Sequence, residues 1–457
     1  MTSVTVPPIR AGLAGRPADR SAATPRIRDL PVPARFAVVA IALLGVQVHG
    51  LASFDVAPSD LLLLASIATG GLRLRYRAST VIRFWLGVLL FGMLLGLFAS
   101  AAAFTPQSPA WGIVRIVGLL LCIGYALMTS GLSAPIMLLA FKALTVASAV
   151  VNALILFAPT RPLIVWLLPQ RNIGARLSGG MWDPNANGVV LASVLLFVLF
   201  APRDTYGKLA RTVLVAVLGV VLVFTFSRGA FVGLAAGCVV ALAVQARTPR
   251  RVARVVGISA LLALVFVGTG LYDLVQRRLA ARPDTLANRY VYIDFGIHTG
   301  LANPLFGGGL GRATYENGAF VHATVISLFG DAGVFAAVGY LGLVVAVGLA
   351  GWQACRAIVA GDRWPACLLL PPLLGMHVCG FVASLTFDAL LQRQWWVVMG
   401  AIAGISAARP TLVGRRGRRA GTTPTTRPGG PGPWADPARA PRRPDESVQA
   451  PVGRSAS

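Results

Sequence analysis

Three arginines and one histidine stand where long apolar runs break off: Arg176, Arg228, Arg289 and His322. A guanidinium presents two parallel N–H donors, the arrangement that suits phosphate or pyrophosphate oxygens. Arginines grouped on one side of a membrane therefore make an anion site, or else contact lipid head groups and brace loops. His322 opens an apolar run directly after a long polar stretch. A neutral imidazole there, with an ordinary pKa of about 6.5, can accept a proton from an attacking hydroxyl. The plainer alternative is a histidine bonded to the backbone at a helix start. In Phe224–Phe231, Ser227 and Gly229 are placed to make a tight turn that leaves Arg228 at its tip.

The remaining chemistry-bearing residues are sparse. His49 and His377 fall within apolar runs and His298 within a loop, where packing or hydrogen bonding is the expected role. Four histidines so scattered form no metal cluster, so no metal is expected. The five cysteines lie in or beside apolar segments with no C-x-x-C pair, and read as small buried hydrophobes. There is no P-loop and no D-x-D pair, and glutamate occurs only at Glu316 and Glu446. A paired-carboxylate glycosidase is thereby disfavoured. The run Phe306–Gly311 follows no strand and reads as a tight backbone turn, not a nucleotide loop. Asp183, Asp273, Asp284, Asp294, Asp331 and Asp388 remain as acids near the same side. Chemistry here would rest on Arg and His, with no cofactor and an already activated donor.

The elements that must carry these residues are membrane spans. The chain is 56% hydrophobic and 12% charged, with a mean hydropathy of +0.72. A soluble domain carries about twice that charge. Apolar stretches of roughly 17–25 residues, enough to cross a bilayer, recur along the chain. The expected fold is all-α: a polytopic integral membrane protein with about twelve transmembrane helices. They are expected at 36–53, 56–72, 82–104, 111–129, 136–158, 188–201, 212–226, 229–246, 255–271, 322–350, 366–387 and 394–408. The net charge of +25 comes from arginines clustered between these runs, a topological pattern and not a nucleic-acid-binding face.

Residues 1–35 hold six Arg against two acids, and residues 409–457 hold ten against three amid Pro, Gly and Thr. Neither tail can bury a core, so both are expected to be disordered. Both are basic and are expected in the cytoplasm, with residues 36–408 as the membrane domain between them. No cleavable leader is visible, and the first apolar run is expected to be an uncleaved anchor. This topology puts Arg73–Arg77, Arg203–Arg211, Arg247–Arg254 and Arg356–Arg363 on the cytoplasmic side. It leaves two long extracytoplasmic loops, about 159–187 and 272–321. These break the charge rule by carrying Arg161, Arg171, Arg176, Arg277, Arg278, Arg282, Arg289 and Arg312. Arg115 and Arg228 lie near the outer ends of their helices. Cations on the disfavoured side usually have a task.

Four stretches in order complete the pattern: Arg176–Asn185, Phe226–Ala230, Asn288–Tyr290 running on to Asn303–Gly311, and His322 with Leu328 and Asp331-Ala332-Gly333. Over roughly 170–345 the chain resembles the O-antigen ligase and O-antigen polymerase superfamily of bacterial membrane glycosyltransferases. It departs where the family commonly has Asn after the histidine (Ala323 here) and Glu before the later glycine (Asp331 here). The resemblance implies a glycan donor on undecaprenyl pyrophosphate, a glycan or lipid acceptor, and a place in the cell inner membrane. It further implies that Arg176, Arg228 and Arg289 hold the pyrophosphate and that His322 orients or deprotonates the acceptor, with Arg289 and His322 the catalytic pair. Ligase and polymerase stay equally open. The rival reading is a transporter or lipid-linked glycan flippase without covalent chemistry; Lys142 and Asp60, its only charged candidates, are expected nearer an interface.

Overall fold

A computed structural model describes residues 25–46, 57–70, 78–102, 108–157, 172–173, 176–179, 181, 183–245, 284–311, 321–359 and 368–408. By contacts the chain divides into Met1–Pro410 and Thr411–Ser457, and every described residue belongs to the first.

Helices form nearly all of it: α1 Val32–Ala42, α2 Pro58–Ala68, α3 Thr80–Ala102, α4 Ser108–Gly131, α5 Ala134–Phe157, α6 Pro184–Phe200, α7 Lys208–Thr225, α8 Arg228–Gln245, α9 Asp284–Ala302, α10 Thr324–Val359, α11 Leu370–Ser384 and α12 Arg393–Ala407. A two-residue antiparallel hairpin, β1 Asn172–Ile173 with β2 Arg176–Leu177, precedes α6. Among the described residues, six helices are long and apolar enough to cross a membrane: α3, α4, α5, α7, α8 and α10. Helices α1, α2, α6 and α11 are shorter and apolar. The expected span at 255–271, residues 1–24 and the tail 409–457 lie outside the described residues. Residues 25–35 of the expected N-terminal tail are ordered: Ile27–Asp29 form a 3-10 turn, α1 begins at Val32, and Leu30 and Ala34 are buried.

Two features depart from the expected layout. The loop expected over 272–321 contains a regular helix, the 19-residue α9. Its alternation of Tyr, Val, Ile and Phe with Asp, His and Gly is too polar for a span yet adequate for a helix packed on one side. Helix α10 is broken at Gly333, whose φ of 80° suits glycine and strains any residue with a Cβ. The backbone groups freed at the break are met by the loop after α9: Val334 N–H donates to Pro304 O at 2.8 Å, and Gly308 and Gly309 N–H donate to Gly330 and Asp331 O at 2.7 and 3.1 Å. In a lipid surrounding such a break persists only when neighbouring protein supplies partners. The Phe306–Gly311 run therefore does serve a close backbone approach.

Glycines spaced four apart set the helix contacts, since that spacing puts both on one helix face. Gly92 and Gly96 of α3 meet Ala336 and Ala332 of α10; Gly233 and Gly237 of α8 meet Cys379 and Gly375 of α11. Gly400 and Gly404 of α12 press on the α4 backbone at Ala126 and Ser130, and Gly296 and Gly300 of α9 on Gly330 and Phe329 of α10. Helix α6 is buried on nearly every side, as its unbroken apolar sequence requires, and sits among α5, α7, α8 and α11. At its C-terminal end Arg211 donates to Ala201 and Pro202 O, and Gln245 to Phe200 O. That gathers the basic 203–211 segment with the end of α8, opposite the end described next.

Candidate functional site

The starts of α4, α6, α8, α10 and α12 meet the ends of α7 and α11, and the arginines and histidine singled out above lie among them. Arg176 is fixed by backbone and side-chain acceptors from two elements. Its Nε donates to Thr225 O at 2.8 Å, and its Nη2 to Asn185 Oδ1 at 2.8 Å and Phe226 O at 3.4 Å. Arg176 thus clamps the α7–α8 turn that carries Arg228.

That turn differs from expectation in which residue bends. Phe226 adopts the left-handed conformation, φ 48°, among the described residues the one non-glycine at positive φ. Gly229 is already helical; its missing side chain makes room for the Thr386 hydroxyl. Ser227 acts as expected at a helix start, its Oγ accepting from Ala230 N at 3.4 Å. Arg228 is exposed at the first position of α8.

Arg289 lies on α9, half-buried, with its Nε enclosed and lacking any hydrogen-bond partner. Burial, and then the nearby charge of Arg228, press its pKa below the ordinary value, while Asp183 opposes them. One turn further along α9, the Tyr292 ring lies 6.5 Å from the ring of His322. His322, half-buried just before α10, is held below the ordinary imidazole range by burial and then by the Arg289 charge. Asp183 and Asp388 pull it the other way. Arg228, Arg289 and His322 are therefore close enough to feel one another in sequence, and Arg176 is bonded to the turn beside Arg228.

Beneath them is an ion network that sequence reasoning did not assemble. Arg115, from α4, pairs with Asp331 in α10 and with Asp388 at 2.6 Å, and reaches Ser327 Oγ at 3.3 Å. Asp331 is fully buried. Asp388 also accepts Leu390 N at 3.1 Å, and Thr324 Oγ1 accepts Ala389 N at 2.8 Å. The start of α10, which carries His322, is thereby tied to the α11–α12 segment. A second buried pair anchors that segment's far end: Arg393 grips Asp60 in a fork, Nε to Oδ1 2.7 Å and Nη2 to Oδ2 2.8 Å. The available signal was an acid inside an apolar run, which demands a partner.

Asp60, expected nearer an interface, lies at the start of α2, buried in the protein and paired with Arg393. Lys142 lies over the Tyr206 ring at 5.8 Å. His377 is buried and hydrogen-bonded, Nε2 to Val344 O at 3.0 Å and Nδ1 accepting from Trp395 Nε1 at 3.2 Å. His298 is exposed beside Asp294 at 3.5 Å. Among the described residues, Cys122, Cys355 and Cys379 are buried, Cys238 is half-buried, and none of the four is in a disulfide. Among the same residues no three His, Cys, Asp or Glu side chains come together as a metal ion needs. His49, Cys367, Arg161, Arg171, Arg277, Arg278, Arg282 and Arg312 lie outside the described residues.

Apolar helices of membrane-crossing length, with arginines and a histidine gathered at one set of their ends, define a multi-pass membrane protein with a cationic cluster. Residues 212–351 match the family model described as O-Antigen ligase. Over that stretch the chain is similar to the O-antigen ligase family. Arg228, Arg289 and His322 fall inside the matched stretch, and Arg176 precedes it. No curated protein matches the chain.

Proposed function

We propose that this chain transfers a glycan from undecaprenyl pyrophosphate to an acceptor hydroxyl outside the cytoplasm, as a ligase or a polysaccharide polymerase. The observation that carries the reading is Arg289: a half-buried guanidinium whose enclosed Nε has no partner, near enough to Arg228 and to His322 for their charges to interact. An unsatisfied buried donor is costly, and a phosphate oxygen would satisfy it. Arg176, Arg228 and Arg289 hold the pyrophosphate and stabilise the charge that grows on it as the anomeric C–O bond breaks. His322 orients the acceptor hydroxyl and takes its proton as the new glycosidic bond forms. One displacement inverts the anomeric centre, and undecaprenyl pyrophosphate leaves. No metal or cofactor takes part.

The topology that goes with it has twelve spans across 36–408, cytoplasmic tails at 1–35 and 409–457, and the site on the outer side of the inner membrane. The break in α10 favours the alternative of a transporter, since interrupted helices often line transport sites.

The test is the surface and lipid-linked glycan of a deletion strain complemented with wild type, His322→Ala or Arg289→Ala. Single repeat units left on the carrier, rescued by wild type alone, identify a polymerase; long polymer stranded on the carrier identifies a ligase. Wild-type transfer in membranes treated with chelator is expected. A normal glycan profile in either variant, at wild-type protein levels, would sink the mechanism.

A further inference from the structure

Asp183 immediately precedes α6, and one of its oxygens makes two bonds. Oδ1 accepts the Asn185 backbone N–H at 2.9 Å, which caps α6, and the Asn185 side-chain Nδ2 at 3.1 Å. An amide that donates through Nδ2 on one side must present its oxygen on the other. That oxygen accepts from Arg176 Nη2 at 2.8 Å, while Arg176 Nε is held by Thr225 O.

We propose that Asp183 is a positioning residue of the anion site: by fixing the amide of Asn185 it aims Arg176 at the pyrophosphate. The inference rests on the glycosyl-transfer reading and deepens it, since pyrophosphate is the anion concerned. The carboxylate also has a second consequence. The groups facing His322 are Arg289 and Tyr292 from α9, Asp388 from the α11–α12 segment, and Asp183. Asp183 and Asp388 are the two anions there that offset burial and Arg289. Asp183 thus links the arginine that holds the donor to the histidine that faces the acceptor.

The test uses full-length protein in nanodiscs, with sugar-free undecaprenyl pyrophosphate as the probe. Asp183→Ala and Asn185→Ala are expected to bind it about tenfold more weakly, a change of about 1.4 kcal/mol. Asp183→Asn keeps an acceptor oxygen and is expected to stay within about threefold. In parallel, the pH dependence of His322 carbethoxylation, read by peptide mass spectrometry, reports its titration. The midpoint is expected to fall in both Asp183 variants and to stay put in Asn185→Ala. Wild-type affinity in Asp183→Ala and Asn185→Ala alike would reduce Asp183 to a helix cap and overturn the proposal. So would an Asp183→Asn variant as weak as Asp183→Ala, or one with an unmoved His322 midpoint. Should Asp183→Ala fail to fold, Asn185→Ala and Asp183→Asn still decide. No binding by wild type, or full binding by Arg289→Ala, removes the pyrophosphate reading itself and this inference with it.

Discussion

His322 sits where two forces act in the same direction: burial removes water from the imidazolium, and Arg289 repels it. Its pKa falls, so at neutral pH the ring is unprotonated and able to accept a proton. The sign has a measurable consequence. Transfer activity is expected to hold through neutral pH and to fail on the acid side below about pH 6.5, the ordinary histidine value. Arg289→Gln removes one depressing charge and is expected to move the carbethoxylation midpoint of His322 upward. Arg115 shows how residue type alone misleads: its place near a helix end groups it with the arginines free to meet an anion, yet it is consumed by Asp331 and Asp388. Its first partner is 216 residues away in the chain, a separation no local pattern reveals. Arg115→Ala would leave the buried Asp331 without its main counter-charge, a loss on the order of 3–5 kcal/mol for a buried pair. The expected readout is a lower midpoint of thermal aggregation in detergent, not a selective loss of donor affinity.

At the scale of elements, small residues decide which helices touch. The i, i+4 glycine pairs of α3, α8, α9 and α12 are printed in the sequence, and each marks a face pressed against a neighbour. What they do not say is which neighbour. The Gly296–Gly300 pair matters most for chemistry, because it seats α9 on α10 and so brings Arg289 beside His322. Gly296→Leu would drive a side chain into Ile326 and Val321. Overpacking of that kind costs about 1–3 kcal/mol. The expected result is a folded, membrane-inserted protein whose transfer rate drops by at least about tenfold, measured in isolated membranes at matched protein levels. Gly333 is equally committed, because its left-handed backbone lets α10 stop and restart around the Pro304–Gly309 loop.

At the scale of the whole molecule, the helix ends fall into two sets. One holds Arg176, Arg228, Arg289, His322 and the Arg115 network; the other holds the basic 203–211 segment. Reporter fusions test the proposed orientation. Green fluorescent protein joined after residue 408 is expected to fluoresce, and alkaline phosphatase inserted within 272–283 is expected to be active. The opposite pair of results would invert the topology and place the site in the cytoplasm. Composition and apolar run length by themselves determined that the chain is helical and lies in membranes, because a bilayer demands long, charge-poor segments whose backbone bonds close within each helix. Residue type and motif order also singled out Arg176, Arg228, Arg289 and His322. Only the tertiary structure decided that the expected loop over 272–321 contains α9, that α10 breaks at Gly333, and that Asp60, Asp331 and Asp388 are claimed by Arg393 and Arg115. The physical reason is range: hydrophobic periodicity is a property of neighbours in the chain, whereas ion pairing and helix crossing are set by residues hundreds of positions apart.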